Sequence, residues 1–357
     1  MARADFVIVG GGWRAEFYLR VARELPERFR VCGMLVRDPA KAARLESTWG
    51  IPTHRSLDDL LRLDRPLFAV VSVPWAVSPA MLSGLSDRKI PCLAETPPAP
   101  DVPGLAEVNA LTDRGARIQV AEQYIFQPLH AARLAIANSG LLGVVSQAQI
   151  SAAHGYHGIS LLRHFLSIRY APVKITARSF GSSIVQSCGR GGPPAQEQIV
   201  ASTQTLAWFD FGDRLGVFDF TGDQYFSHIR SHRLLVRGLR GEINQSRIRH
   251  LLDFRTPMEF ELERRDAGLN GNLEGYYHKG IVGGGRSWYE NPFRGARLSD
   301  DELAVATLLS HMADFARGGA DFYSLAEASY DHYLNLMLDQ SLSSGKTVEC
   351  NVPPWAK

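Results

Sequence analysis

Hydrophobic positions divide the chain into two textures. Up to about Tyr124, short, mostly apolar runs alternate with stretches whose apolar residues recur three and four apart. The runs Phe6 to Val9, Val31 to Val36, Phe68 to Val73, Cys92 to Ala94 and Ile118 to Val120 read as strands buried on both faces. Between the first two, Phe17, Tyr18, Val21, Ala22 and Leu25 form one helical stripe that Pro26 ends, and further helical patterns start at Ser56, Ala80 and Val102. This alternation predicts a doubly wound parallel sheet. After Tyr124 a helix from Pro128 to Asn138 stops at Gly140. Alternating runs then follow at Val144 to Ser151, Val173 to Phe180, Gln204 to Phe211, Leu215 to Phe220, Leu234 to Leu239 and Met258 to Leu262. They lack intervening helices and predict a mainly antiparallel sheet. Helical patterns from Asp300 to Gly318 and Ser324 to Ser344 close the chain, and there is no internal repeat.

The expected architecture is an α/β N-terminal Rossmann domain, residues 1–124, and an α+β C-terminal domain, residues 125–357, for substrate binding and oligomerisation. At the first strand's end stands Gly10-Gly11-Gly12-Trp13-Arg14-Ala15, the order strand, phosphate loop, helix. Gly10 makes the tight turn, Gly12 lets backbone N–H groups approach a pyrophosphate, and Ala15 permits close helix packing. The helix N-terminus presents its positive dipole end to the anion. An NAD site places an acidic residue roughly 20 residues past the glycines, but here Val36 and Arg37 end the second strand. A guanidinium there favours NADP(H) over NAD(H), with Asp38 next in line to turn inward. Strand ends border the ligand in such sheets, so Pro74-Trp75, Glu95-Thr96-Pro97 and Glu122-Gln123-Tyr124 are the expected wall, with Trp75 stacking on the cofactor or shielding it.

Composition narrows the partners. The 357 residues are 45% hydrophobic and carry a formal charge of +2, which implies neither nucleic acid nor an anionic membrane. The four cysteines are far apart and form no CxxC, so they read as thiols of a reducing compartment. A first strand at Phe6 leaves no room for a signal peptide, and no apolar run approaches the roughly 20 residues of a membrane span; a cytoplasmic protein is expected.

The arrangement resembles the Gfo/Idh/MocA family, named for glucose–fructose oxidoreductase, inositol dehydrogenase and rhizopine catabolism. The resemblance rests on the loop Gly10 to Ala15, Pro74 after a central strand, and Ala94-Glu95-Thr96-Pro97 at the place of the family's Glu-Lys-Pro. It also rests on His157 beginning the helix Gly158 to Arg163, and on the segment Ala326 to Val348. It implies nicotinamide-dependent hydride transfer at a hydroxyl or carbonyl, most often of a sugar, cyclitol or related molecule, in a homodimer or homotetramer. The catalytic pattern is degenerate: Thr96 replaces the lysine, Ala153 an aspartate, and Ser78 a frequent histidine.

Hydride transfer also needs a proton-exchanging group and a stabiliser of oxyanion charge. His157 suits the first task, since imidazole titrates near neutrality. Thr96 can donate a hydrogen bond but no charge. Either Arg163 supplies the missing cation, or the phenol of Tyr124 or Tyr156 donates, or the chemistry is slow or different. His154, in the run His154-Gly155-Tyr156-His157, suits a polyhydroxylated ligand; without an acidic or cysteine partner these histidines predict no metal. The clusters Asp223-Gln224-Tyr225 and Glu274 to Lys279 are further loop candidates, and Gln186 to Glu197 reads as a mobile loop or lid. The leading expectation is an NAD(P)-dependent oxidoreductase of a sugar, ketosugar or related polyol. A redox-neutral NAD-dependent glycosidase or lyase and a non-catalytic dinucleotide-binding protein stay open.

Overall fold

A computed structural model describes residues 2–62 and 65–356. Its first part alternates strand and helix: β1 Ala4–Val9, α1 Ala15–Glu24, β2 Phe29–Leu35, α2 Pro39–Trp49, β3 Thr53–His54, α3 Leu57–Arg62, β4 Phe68–Val71, α4 Ser78–Asp87, β5 Cys92–Ala94, α5 Val102–Asp113 and β6 Ile118–Val120. These strands form one parallel sheet in the order β3-β2-β1-β4-β5-β6. Then come α6 Pro128–Asn138, β7 Val145–Ser151, α7 Gly155–Phe165, β8 Val173–Val185, β9 Ile199–Asp210, β10 Leu215–Thr221, β11 Arg233–Gly238, β12 Gly241–Asn244, β13 Arg247–Leu251 and β14 Pro257–Glu261. β15 Glu263–Ala267, β16 Tyr277–Gly283 and β17 Arg286–Glu290 form a three-stranded sheet, and α8 Asp300–Ala316, α9 Leu325–Ser344 and β18 Val348–Cys350 finish the chain. β7 to β14 and β18 build a nine-stranded sheet in the order β14-β13-β12-β11-β7-β10-β9-β8-β18, antiparallel except where β7 meets β10.

The chain forms two compact units. One comprises Met1–Pro128, Arg265–Gly280 and Glu290–Ser329; the other Leu129–Arg264, Ile281–Tyr289 and Tyr330–Lys357. Where one contiguous division at residue 124 was expected, the chain crosses between the units five times, first after Pro128. The reason is packing: α8 lies on α1, and Leu303, Leu308, Leu309 and Met312 enter the same core as Phe6, Ile8, Tyr18, Leu19, Phe68 and Val70. An apolar stripe on a late helix covers a sheet face that the first 124 residues leave open. Each such side chain taken from water contributes about 1.5–3 kcal/mol, so the union is strongly favoured.

In the second unit, α7 lies against β7 and β10. Gly158 makes this approach possible, because a Cβ there would stand 2.6 Å from the Phe218 ring. The other sheet face keeps alternating polar side chains in solvent, interrupted by Phe180, Leu206 and Trp208, which are exposed.

Candidate functional site

In the first unit, parallel strands bring their C-terminal ends to one edge, and the expected cofactor residues gather there. Gly10 ends β1 at φ +116°, where a Cβ would lie 1.9 Å from the Ser72 carbonyl oxygen; only glycine fits. Gly12 is different: a Cβ there meets nothing within 4 Å, so this side of the loop is open to a phosphate. Trp13 and Trp75 are both exposed near that edge, the one after β1 and the other after Pro74 beyond β4. Ala15 opens α1 and is fully buried.

Arg14 and Glu95 meet, although they are 81 residues apart. Arg14 Nε donates to Glu95 Oε1 at 3.0 Å and its Nη1 to Asp301 Oδ2 at 2.8 Å, while the Tyr18 hydroxyl donates to Glu95 Oε1 at 2.5 Å. Burial opposes the guanidinium's charge, but Glu95 and Asp301 outweigh it and raise the Arg14 pKa. Burial first, then the Glu95 charge, raises that of Tyr18. Asp301, on the first turn of α8, was outside the reach of sequence reasoning, since nothing local ties it to residue 14. Tyr18 was legible only as core.

Two enclosed polar atoms at this edge, Arg14 Nη2 and Gln123 Oε1, have no hydrogen-bond partner among the described residues, and Ser78 Oγ is a third. Orphaned donors and acceptors of this kind are costly unless a ligand engages them. With the open face at Gly12 they fit a dinucleotide with a carboxamide and two phosphates. Thr96 and Tyr124 follow β5 and β6 and are half-buried, and the Tyr124 N–H donates to Glu122 Oε1 at 3.0 Å. Burial pushes the Glu122 carboxyl up to about 8; the Tyr124 bond and Arg14 only partly oppose this. Arg37 is exposed beyond β2. Asp38 is the N-cap of α2, its Oδ1 accepting the Lys41 N–H at 2.7 Å, and so is engaged there.

In the second unit, α7 begins two residues earlier than expected. His154 is its N-cap and Gly155 its first residue, so His157 sits within the first turn and is buried. The His154 ring stands 5.3 Å from the Tyr156 ring and 5.0 Å from that of His157, centroid to centroid. Tyr225 completes the group: its hydroxyl accepts the His154 N–H at 3.0 Å and lies 2.5 Å from His154 Nδ1. A hydroxyl already accepting that N–H best turns its own proton to Nδ1, which leaves Nε2–H facing the Tyr156 hydroxyl at 3.4 Å. Packing among these rings removes water from the His154 imidazole, and together with the charges of His157 and Arg190 this pushes its pKa down to about 4. His154 is therefore neutral at pH 7. His332 joins by its ring, 5.6 Å from that of Tyr156.

Tyr225 was visible in sequence as part of a polar loop cluster; His332, on a terminal helix, was not. The Glu274 to Lys279 cluster belongs to the first unit, where His278 Nδ1 is 3.3 Å from Asp266. Arg163 requires correction. Its side chain is 1% exposed and its Nε is 2.6 Å from Asp331 Oδ1, so its charge is spent inside the second unit rather than on a substrate. Spacing placed it on α7 but on the inner face of that helix.

The fold and the glycine loop define the class, a Rossmann-type nucleotide-binding unit followed by a large, mostly antiparallel sheet. Residues 4–122 match the profile of Gfo/Idh/MocA, an oxidoreductase family with an NAD-binding Rossmann fold. No curated protein sequence matches. Among solved structures, a levoglucosan dehydrogenase in complex with NADH and levoglucosan aligns over 98% of this chain and 100% of its own, with 13% identity and a TM-score of 0.68. An Agrobacterium radiobacter oxidoreductase with NAD+, L-tartaric acid and magnesium aligns over 97% and 98%, at 15% identity and 0.67. The scyllo-inositol dehydrogenase of Lactobacillus casei aligns over 97% and 98%, at 11% and 0.65. At such identities the likeness is one of fold.

Proposed function

We propose that the protein is an NAD(P)-dependent oxidoreductase that transfers hydride at a hydroxyl or carbonyl of a sugar, ketosugar or related polyol. The observation that carries this reading is the family-matched loop, closed at Gly10 and open at Gly12, beside unpartnered Arg14 and Gln123 atoms. When bound, a nicotinamide supplies hydride acceptance or donation. The chain's residues do the rest. The Gly10 to Ala15 segment holds the bridging phosphates, Gln123 accepts from the carboxamide, Arg14 donates its remaining N–H, and Glu95 fixes Arg14. Pro74 and Trp75 bound the ring's face.

His157 takes the hydroxyl proton in oxidation and returns it in reduction. His154, held neutral, keeps the Tyr225 phenol oriented, and Tyr156 offers its hydroxyl to the substrate. Thr96 and Tyr124 donate hydrogen bonds to the oxygen on which charge develops, a weaker aid than the lysine's charge. NADP(H) is favoured over NAD(H), because Arg37 stands exposed two residues beyond β2 and the neighbouring Asp38 is engaged in capping α2. The four cysteines are free thiols, consistent with a cytoplasmic protein, and Phe180, Leu206 and Trp208 on the open sheet face suit a homodimer or homotetramer.

The test is a panel of sugars and polyols with NADPH or NADP+, followed at the nicotinamide absorbance. Turnover should fall on the order of 10²–10⁴-fold in His157→Ala with nucleotide affinity intact. Aryl glycoside cleavage without net cofactor change, or bound nucleotide with no turnover on any substrate, would overturn the reading. In the same cuvette NADPH should bind about tenfold or more tightly than NADH, and Arg37→Ala should erase the gap. A preference for NADH contradicts the role of Arg37.

A further inference from the structure

The edge of the six-stranded sheet opposite the glycine loop carries a second recess, wholly within the first unit. A cavity of about 520 Å³ is lined by Arg3, Asp5, Arg65, Lys89, Arg117 and Arg317 together with apolar residues. Arg3 and Asp5 flank the start of β1, Arg65 precedes β4, Lys89 follows α4, Arg117 precedes β6 and Arg317 follows α8. Parallel strands bring all of these to one edge.

The plainer explanation is that the cations serve backbone carbonyls. Arg117 donates to the Phe315 carbonyl and, at 3.2 Å, to that of Ala316, at the end of α8. Arg317 donates to the carbonyls of Ala2 at 3.0 Å and Arg3 at 3.3 Å. Magnitudes decide how far this goes. A helix C-terminus carries about half a negative charge, and α4, α5 and α8 end here, so with Asp5 they leave an excess of roughly two to three positive charges among the described lining residues. Asp5 is in addition shared, 3.0 Å from Arg3 Nε and 2.5 Å from Arg30 Nη2. Arg65 and Lys89 lie exposed at the rim.

We propose that this recess binds a small polyanion of phosphate chemistry, a second ligand site separate from the nucleotide loop. Guanidinium forks match phosphate oxygens, and the excess charge matches that of a di- or triphosphate. The occupant is small because the cations are confined to this one open recess and the chain's net charge of +2 provides no extended basic field.

Inorganic pyrophosphate and ADP are titrated by calorimetry into the full chain saturated with NADPH, which fills the glycine loop. Pyrophosphate should bind, more weakly as salt rises, and the double variant Arg65→Gln/Lys89→Asn should lose about tenfold or more in affinity at unchanged melting temperature. Asn suits position 89, where φ is +55°. ADP binding better than pyrophosphate marks a nucleotide as occupant, and equal binding marks the phosphates alone; both support the site. Equal affinity in wild type and double variant, or no binding by wild type at low salt, overturns it. Should NADPH itself fail to bind, the cofactor reading falls alone, and the same comparison without NADPH still decides this one.

Discussion

At the scale of single residues, the site is built from groups that cannot all keep their usual charge. Around Arg14 stand Glu95, Asp301 and Glu122, three carboxyls with one guanidinium. Glu95 and Asp301 hold Arg14 directly, and Glu122, buried, keeps its proton up to about pH 8. The ordinary glutamate value is 4.5, so across that window the folded chain binds a proton that the unfolded chain has released. Stability therefore falls as pH rises through the window and is restored by acid. In Glu122→Gln the side chain is neutral throughout and still accepts the Tyr124 N–H. Its melting temperature should exceed that of wild type increasingly toward pH 8, by on the order of a few kcal/mol in stability. Melting curves that stay parallel across this range contradict the buried, protonated carboxyl. Much of this was hidden in the sequence. The geometry at Gly10 and Gly12 could be picked out because a tight turn and an open backbone have local signatures. The Arg14–Asp301 contact spans 287 residues, and no local pattern encodes it. Arg163 shows the converse, since its type suggested a substrate cation and only burial beside Asp331 revealed a structural role.

At the scale of elements, legibility followed burial. β1, β2, β4, β5 and β6 were readable because they are largely enclosed on both faces and so are mostly apolar. β12, β13, β15 and β17 were not, being four or five residues long, the last three with exposed charged side chains. α2 buries only Ala42 and Leu45, too thin a stripe to announce a helix, and its start is set by the Asp38 cap instead. α8 was read as a helix but not as part of the first unit's core. Its start is fixed by a capping box: the Ser299 hydroxyl accepts the Glu302 N–H at 3.3 Å, and the Glu302 carboxylate accepts the Ser299 N–H at 2.9 Å. Glu302 also lies 2.5 Å from Arg20 on α1. Ser299→Ala should cost about 1 kcal/mol, read as a lowered melting temperature. An unchanged value means that α8 is held by its packing on α1 without help from its cap.

At the scale of the whole molecule, a sequence can declare two textures without declaring which stretches share a core. The first unit takes back residues 265–280 and 290–329 because hydrophobic burial is indifferent to chain order. The proposed function rests on a dinucleotide grip at the loop Gly10 to Ala15. Gly12 allows the sharpest test, since a side chain there meets open space and leaves the fold alone, whereas a carboxylate at that point opposes phosphate. Exposed Trp13 and Trp75 provide the signal, energy transfer from tryptophan to the reduced nicotinamide. The measurement is an NADPH titration of wild type and Gly12→Glu followed by that transfer. Saturable binding by wild type, weakened about a hundredfold or more in the variant at equal melting temperature, is the predicted result. No saturable transfer in wild type, or the same affinity in both proteins, contradicts it.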